Sequence, residues 1–163
     1  MTAEQRAPEV NPFPDDDEDR RAIWEMLVTR DIDAFIAADW MAVDGDFDRP
    51  CFLGINAGRN ANPDDWKLAF PSLEDYRDEW LRQANEFAAQ SFAEDTRAAI
   101  FRATKLTDIE IRGDQALAHK KFDGIVRRSD GGTETLNWQT VYYCRKRDNR
   151  WLISGFTGYL PHR

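Results

Sequence analysis

Trp151-Leu152-Ile153-Ser154-Gly155-Phe156-Thr157-Gly158-Tyr159-Leu160-Pro161 closes this chain, and its reading decides the fold. It is the last of four long β-prone segments set out between Ala98 and Leu160. Arg112-Gly113-Asp114, Ser129-Asp130-Gly131-Gly132 and Asp148-Asn149 separate them. Each separator is hairpin chemistry, because Gly, Asn and Asp accept the left-handed backbone of tight turns. The four strands therefore form an antiparallel sheet. Segments of about thirteen residues reach about 43 Å at ~3.3 Å per residue. A flat sheet of that length is out of scale with one domain, so strong coiling with bulges is expected. Gly155 and Gly158 mark either bulges or close packing.

Moving outward, Pro71-Ser72-Leu73-Glu74-Asp75 starts the clearest helix of the chain, with Ser72 as N-cap. Leu73, Tyr76, Trp80, Ala84, Phe87 and Ser91 fall on one stripe, which Leu81, Ala88 and Phe92 widen. Arg77, Asp78, Arg82, Gln83, Glu86 and Gln90 make the opposite face polar, the pattern of a helix lying across a sheet. Further upstream, Asp15-Asp16-Asp17-Glu18-Asp19 reads as an acidic helix start, followed by Ile23, Met26, Leu27 and Arg30 at helical spacing. Asp31 is expected to cap a second short helix with Ile32, Phe35 and Ile36 inward, ending near Trp40 or Met41. Cys51-Phe52-Leu53-Gly54-Ile55 is a short strand, Asn56 to Pro63 a loop, and Asn62-Pro63 the cap of one helical turn through Trp66. Residues 1–14, with three prolines and no periodicity, read as a flexible arm, and 15–163 as a single domain.

Composition excludes several classes. With 163 residues, 42% hydrophobic and 12% aromatic, the chain can bury a core, and disorder is excluded as the main state. A net charge of −8 argues against a nucleic-acid partner, whose affinity comes largely from phosphate contacts. No apolar run approaches a membrane span, and no cationic start precedes an apolar stretch, so a cytoplasmic protein without membrane contact is expected. Cys51 and Cys144 read as buried free thiols.

Asp33-Ala34-Phe35-Ile36-Ala37-Ala38-Asp39-Trp40 after the first helix, Arg112-Gly113-Asp114-Gln115-Ala116 between strands, and Arg150-Trp151-Leu152-Ile153-Ser154-Gly155-Phe156 at the end carry a family likeness. With this element order, the chain resembles the nuclear transport factor 2-like superfamily, in particular its SnoaL-like branch of polyketide cyclases. The resemblance covers roughly residues 16 to 160. It implies an α+β cone, with a strongly curved antiparallel sheet packed on a long helix and two N-terminal helices before it. It also implies an internal pocket for a small, largely apolar ligand and a homodimer through the outer sheet face. Its members include isomerases, dehydratases, cyclases, epoxide hydrolases and domains without catalysis, so fold alone does not assign function. A chain of this kind usually needs no cofactor, because acids, tyrosines and histidines of the pocket move the protons.

A proton-transfer pocket needs a base and a hydrogen-bond donor for the developing oxyanion. The candidate base is Asp44, in an acidic stretch with Asp46 and after Asp39, near where the resemblance places a carboxylate. Tyr142 and His119 are the candidate donors. Strand alternation sets Leu117, His119, Lys121 and Asp123 on one face, either a catalytic cluster or a polar dimer face, with Ala116, Ala118, Lys120 and Phe122 opposite. In the next strand Leu136, Trp138, Thr140, Tyr142 and Cys144 form the inward set, as core or as cavity lining. Trp40, Trp138 and Arg102 are candidate ligand contacts; Arg102, assigned to a strand, either binds an acidic group or pairs with a helix acid. No ligand spacing for a metal and no glycine-rich phosphate loop is present. The expectation is cofactor-free isomerisation, dehydration or cyclisation, or alternatively a non-catalytic binding or dimerisation domain.

Overall fold

A computed structural model describes residues 7–162. The N-terminal helices open with α1 (Glu18–Trp24), whose first turn Asp17 caps by accepting from the Arg20 N–H. The chain then continues without a break through a π-helical segment (Glu25–Arg30) into α2 (Asp31–Ala37). The expected pair of separate helices is thus one rod. Asp31 has φ −62° and ψ −47°, inside the helical region, so it caps nothing. The wider π turn re-aims the face that follows it, a common device at functional sites. Only at Ala38, with φ 51°, does the rod end. Residues 1–6 of the expected arm lie outside the described residues. Within 7–14 the chain is docked, because buried Asn11 donates through Nδ2 to the Arg21 carbonyl and to Glu25 Oε1.

A short α3 (Met41–Asp44) leads to β1 (Leu53–Asn56), a single 3₁₀ turn at Pro63–Asp65 capped by Asn62, and β2 (Lys67–Phe70). The long helix α4 (Leu73–Ala88) starts where Ser72 Oγ accepts from the Asp75 N–H, and Leu73, Trp80, Ala84 and Phe87 are its buried stripe. It ends short of Ser91 and Phe92, which the periodicity had included.

The four-strand region begins later than expected. Thr96–Ala103 is a helix, α5, capped by the Asp95 side chain. The run Ala98-Ala99-Ile100-Phe101 is apolar without a decisive period, so it is compatible with either element until the Asp95 cap starts a helix ahead of it. The fit is tight: a Cβ on Gly124 would lie 2.7 Å from Ala103 Cβ. Arg102 is therefore on a helix, exposed, with Nη2 3.1 Å from Glu94 Oε1, so it pairs with an acid of the bend before α5 and not with a helix acid.

β3 (Thr104–Arg112), β4 (Gln115–Arg127), β5 (Thr133–Arg147) and β6 (Arg150–Leu160) pair antiparallel in sequence. β1 adds to β6 in parallel, giving one open six-stranded sheet in the order β2-β1-β6-β5-β4-β3. Bulges interrupt the β5–β6 ladder beside Gly155 and Gly158. Gly155 is also a close approach, since a Cβ there would meet the Leu53 carbonyl oxygen at 2.5 Å. The sheet curls over α2, α4 and α5 as an α+β cone. Among the described residues no helix is long and apolar enough to cross a membrane.

Candidate functional site

Inside the cone a cavity of about 350 Å³ opens between α2, α4, α5 and the inner face of β4–β6. Strand alternation brings Phe122 of β4 and Leu136, Trp138, Thr140 and Tyr142 of β5 to its wall. Phe156 and Gly158 follow from β6. At the bulge the chain turns left-handed, with φ 56° at Tyr159, and so Tyr159 rather than Leu160 lines the cavity. Tyr159 packs its ring 5.5 Å from Trp138, and its hydroxyl pairs with the Gln83 amide of α4. From the helices come Ile32, Phe35, Tyr76, Trp80, Phe87 and Ile100. The lining is thus largely aromatic, as small-molecule cavities are.

The polar centre of this wall is Asp31. Its Oδ2 accepts from Lys120 Nζ at 2.9 Å, and Lys120 also donates to the Leu27 carbonyl in the π-helical segment. Lys120 is 0% exposed and points inward from β4, with Nζ 5.0 Å from the centre of the Phe122 ring. A buried ammonium is tolerable only when its donors are satisfied, and the π turn supplies part of that satisfaction. Asp31 Oδ1 has no hydrogen-bond partner among the described residues. The lysine holds one oxygen and leaves the other for the cavity.

Two phenols share this space. Burial pushes Tyr142 well above the usual tyrosine value, and the Asp31 charge adds to the effect. Burial does the same for Tyr76, with Tyr142 and then Asp31 contributing. Both rings flank Phe156, at 4.9 Å for Tyr76 and 5.9 Å for Tyr142. Among the described residues no walled-off side-chain nitrogen or oxygen lacks a partner, and neither phenol bonds to the protein, so both hydroxyls open on the cavity. The neighbouring Tyr143 shows the contrast: it faces outward and its hydroxyl lies 2.6 Å from Thr157 Oγ1. A protonated phenol beside a carboxylate with one free oxygen can donate to a developing oxyanion while the carboxylate accepts a proton.

Of the residues singled out in the sequence, the structure brings Tyr142 and Trp138 to this cavity. It does not bring Asp44, His119, Trp40 or Arg102 there. Asp44 Oδ1 accepts from Trp40 Nε1 at 2.8 Å and from Arg49 Nη2 at 2.7 Å, so that carboxylate braces the α3 turn. Trp40 is core, stacked 5.2 Å from Phe47. His119 stands on the outer sheet face, opposite Asp108 and Val141 in register. Asp31 and Tyr76 were read only as a helix cap and a core position. The inward alternation of Lys120 beside Phe122 was the available signal: a lysine on an apolar strand face requires a buried acid to meet it. Among the described residues no three metal-ligating side chains come together, and both cysteines are free, Cys144 buried as expected but Cys51 exposed. Burial pushes the Cys144 thiol up to about 12.

No family model matches this chain, and no curated protein matches it in sequence. Solved structures do match in shape. An NTF-2-like protein of unknown function from Silicibacter pomeroyi superposes with a TM-score of 0.56 at 15% identity, covering 89% of this chain and 98% of its own. The chain has the nuclear transport factor 2-like fold. An NTF2-like superfamily protein from Salmonella enterica gives 0.54 at 15% identity, over 86% of this chain and 89% of its own. A conserved protein from Planctomyces limnophilus gives 0.57 at 14% identity, over 86% and 94%. At such identities the nuclear transport factor 2-like likeness speaks for fold and leaves the site to its own chemistry.

Proposed function

We propose that this protein binds a small, largely apolar molecule inside the cone and acts on it by cofactor-free acid–base chemistry of the isomerase, dehydratase or cyclase kind. Asp31 is the base through Oδ1, Lys120 holds it in place, and Tyr142 is the donor to the developing oxyanion, with Tyr76 beside it. The carrying observation is the juxtaposition, in one aromatic cavity, of a carboxylate with an unengaged oxygen and two unengaged phenols. This takes the SnoaL-like expectation for the reaction class but moves the base from Asp44 to Asp31. The free thiols fit the expected cytoplasmic setting.

Electron density or mass spectrometry of a co-purified molecule would name the ligand class. With a substrate in hand, Asp31→Asn and Tyr142→Phe should each lower turnover by about 10²–10⁴-fold while binding persists. Full turnover in both discards the acid–base assignment. Retained binding with no turnover even in the native chain leaves the non-catalytic binding domain.

The same reading assigns the outer sheet face, with Leu117, Val141, Tyr143 and Leu152 beside His119, to a second copy of the chain. Sedimentation equilibrium at micromolar concentration should give a dimer; a monomer there sinks this part.

A further inference from the structure

The four charged residues that line the cavity are Asp31, Arg59, Glu86 and Glu134. Each of the three acids already lies beside a cation, although Arg82 is shared with Glu79 and Arg128 with Asp130. Asp31 has Lys120 at 2.9 Å, Glu86 has Arg82 at 2.8 Å, and Glu134 has Arg128 at 3.8 Å. Arg59 has no carboxylate within ion-pair distance among the described residues. Among the described residues Arg59 is thus the one cation in the lining, its guanidinium is not taken by an acid, and it sits on the exposed margin of the cavity.

The backbone shows that Arg59 is held there. It has φ 60°, after Gly58 at φ 59°, a left-handed conformation uncommon for a residue with a side chain. Strain of this kind persists only where the surroundings enforce it. The Arg59 N–H donates to the Tyr159 carbonyl at 2.7 Å, and the Ala57 N–H to the Gly158 carbonyl at 2.8 Å, so the loop extends the β1–β6 pairing. Behind it the asparagines brace the loop: Asn60 Nδ2 bonds Asp65 Oδ2, and Trp66 Nε1 donates to the Asn60 carbonyl. Tyr159, the residue to which Arg59 is tied, is itself a lining residue.

We propose that Arg59 is an anion subsite, so that the molecule bound in the cone carries a carboxylate or comparable anionic group on an apolar, ring-bearing body. This deepens the small-molecule reading above and rests on it. A guanidinium offers paired N–H donors that match a carboxylate in geometry as well as charge. The aromatic walls take the ring, and the other cations near the lining are already engaged by acids.

The test uses two molecules of one shape, 2-naphthoate and its neutral counterpart 2-naphthamide, titrated calorimetrically at neutral pH and low ionic strength. The native chain should bind naphthoate about tenfold more tightly than the amide. Arg59→Gln should remove that gap and leave the amide affinity unchanged. Arg59→Lys should keep part of it, and added salt should narrow it. Equal affinities in the native chain, or a gap that survives Arg59→Gln, overturn the anion subsite while leaving the cavity reading intact. If neither molecule binds at millimolar concentration, or if Trp138→Ala leaves both affinities unchanged, the cavity reading falls and the subsite with it.

Discussion

Two carboxylate regions of this molecule, around buried Asp46 and around half-buried Asp31, differ in how completely they are satisfied. Asp46 lies where the loop after α3 meets β6 and is 3% exposed. Arg30 grips both its oxygens at 3.0 Å, and Arg150 adds a third bond at 3.1 Å. Main-chain bonds join Asp46 and Asp48 to Ile153, and Asp48 takes Arg147 at 2.8 Å. Neither oxygen of Asp46 is left over for a ligand. Asp31 has one oxygen engaged and the other facing a cavity. A saturated carboxylate staples elements together, while a half-satisfied one in a cavity is available for chemistry. Charge alone does not distinguish the two.

The largest effect that tests this contrast is on stability at the staple. Asp46→Ala removes three charge-assisted bonds, and the half-exposed arginines left behind can turn to water, so the cost stays below that of a fully buried pair. A loss of about 2–3 kcal/mol is expected, read as a lower midpoint in urea. A loss under about 0.5 kcal/mol would show that the staple is decorative.

The next test is alkaline pH, and it concerns the cavity. The folded state raises the pKa of Tyr76, Tyr142 and Tyr159, chiefly through burial. A raised pKa favours the protonated phenol in the folded chain. That stabilisation is complete below the unfolded value near pH ~10 and is lost as pH rises through the folded values. Phenolate absorbance should therefore lag behind that of the unfolded chain and then appear together with unfolding. Tyr142→Phe should move the alkaline transition upward. Free titration of these three phenols in the folded protein near pH ~10 would mean that the cavity is wet and open.

The smallest effect is at the Tyr142 hydroxyl under neutral conditions. Because it bonds to nothing in the protein, Tyr142→Phe should change the unfolding free energy by about 0.5 kcal/mol or less. A loss of about 1.5 kcal/mol or more, measured in denaturant, would reveal a structural bond and place Tyr142 with the staple.

Part of this arrangement was readable without coordinates. The Ser72 cap, the α4 stripe and the β5 alternation put Trp138, Thr140 and Tyr142 on the inner wall, because caps and periodicity are local chemistry. The acid was misread for an equally physical reason. An aspartate ahead of an apolar helical pattern looks like an N-cap, and a π turn that carries the helix through it leaves no mark in periodicity. Asp44 stood in a conspicuous acidic stretch, yet Trp40 and Arg49 occupy it. Arg59 lay in a loop recognised only by composition, where nothing in the residue types foretold its tie to Tyr159.

By itself, then, the sequence determined the long helix, the hairpins and the inward face of β5, all set by neighbours within a few residues of one another. The tertiary structure alone decided the parallel placement of β1 on β6, the inward turn of Tyr159 at its bulge, and the meeting of Lys120 with Asp31 across 89 residues. Which charges are left unpaired in a cavity depends on how distant elements come together, and no local pattern encodes that sum.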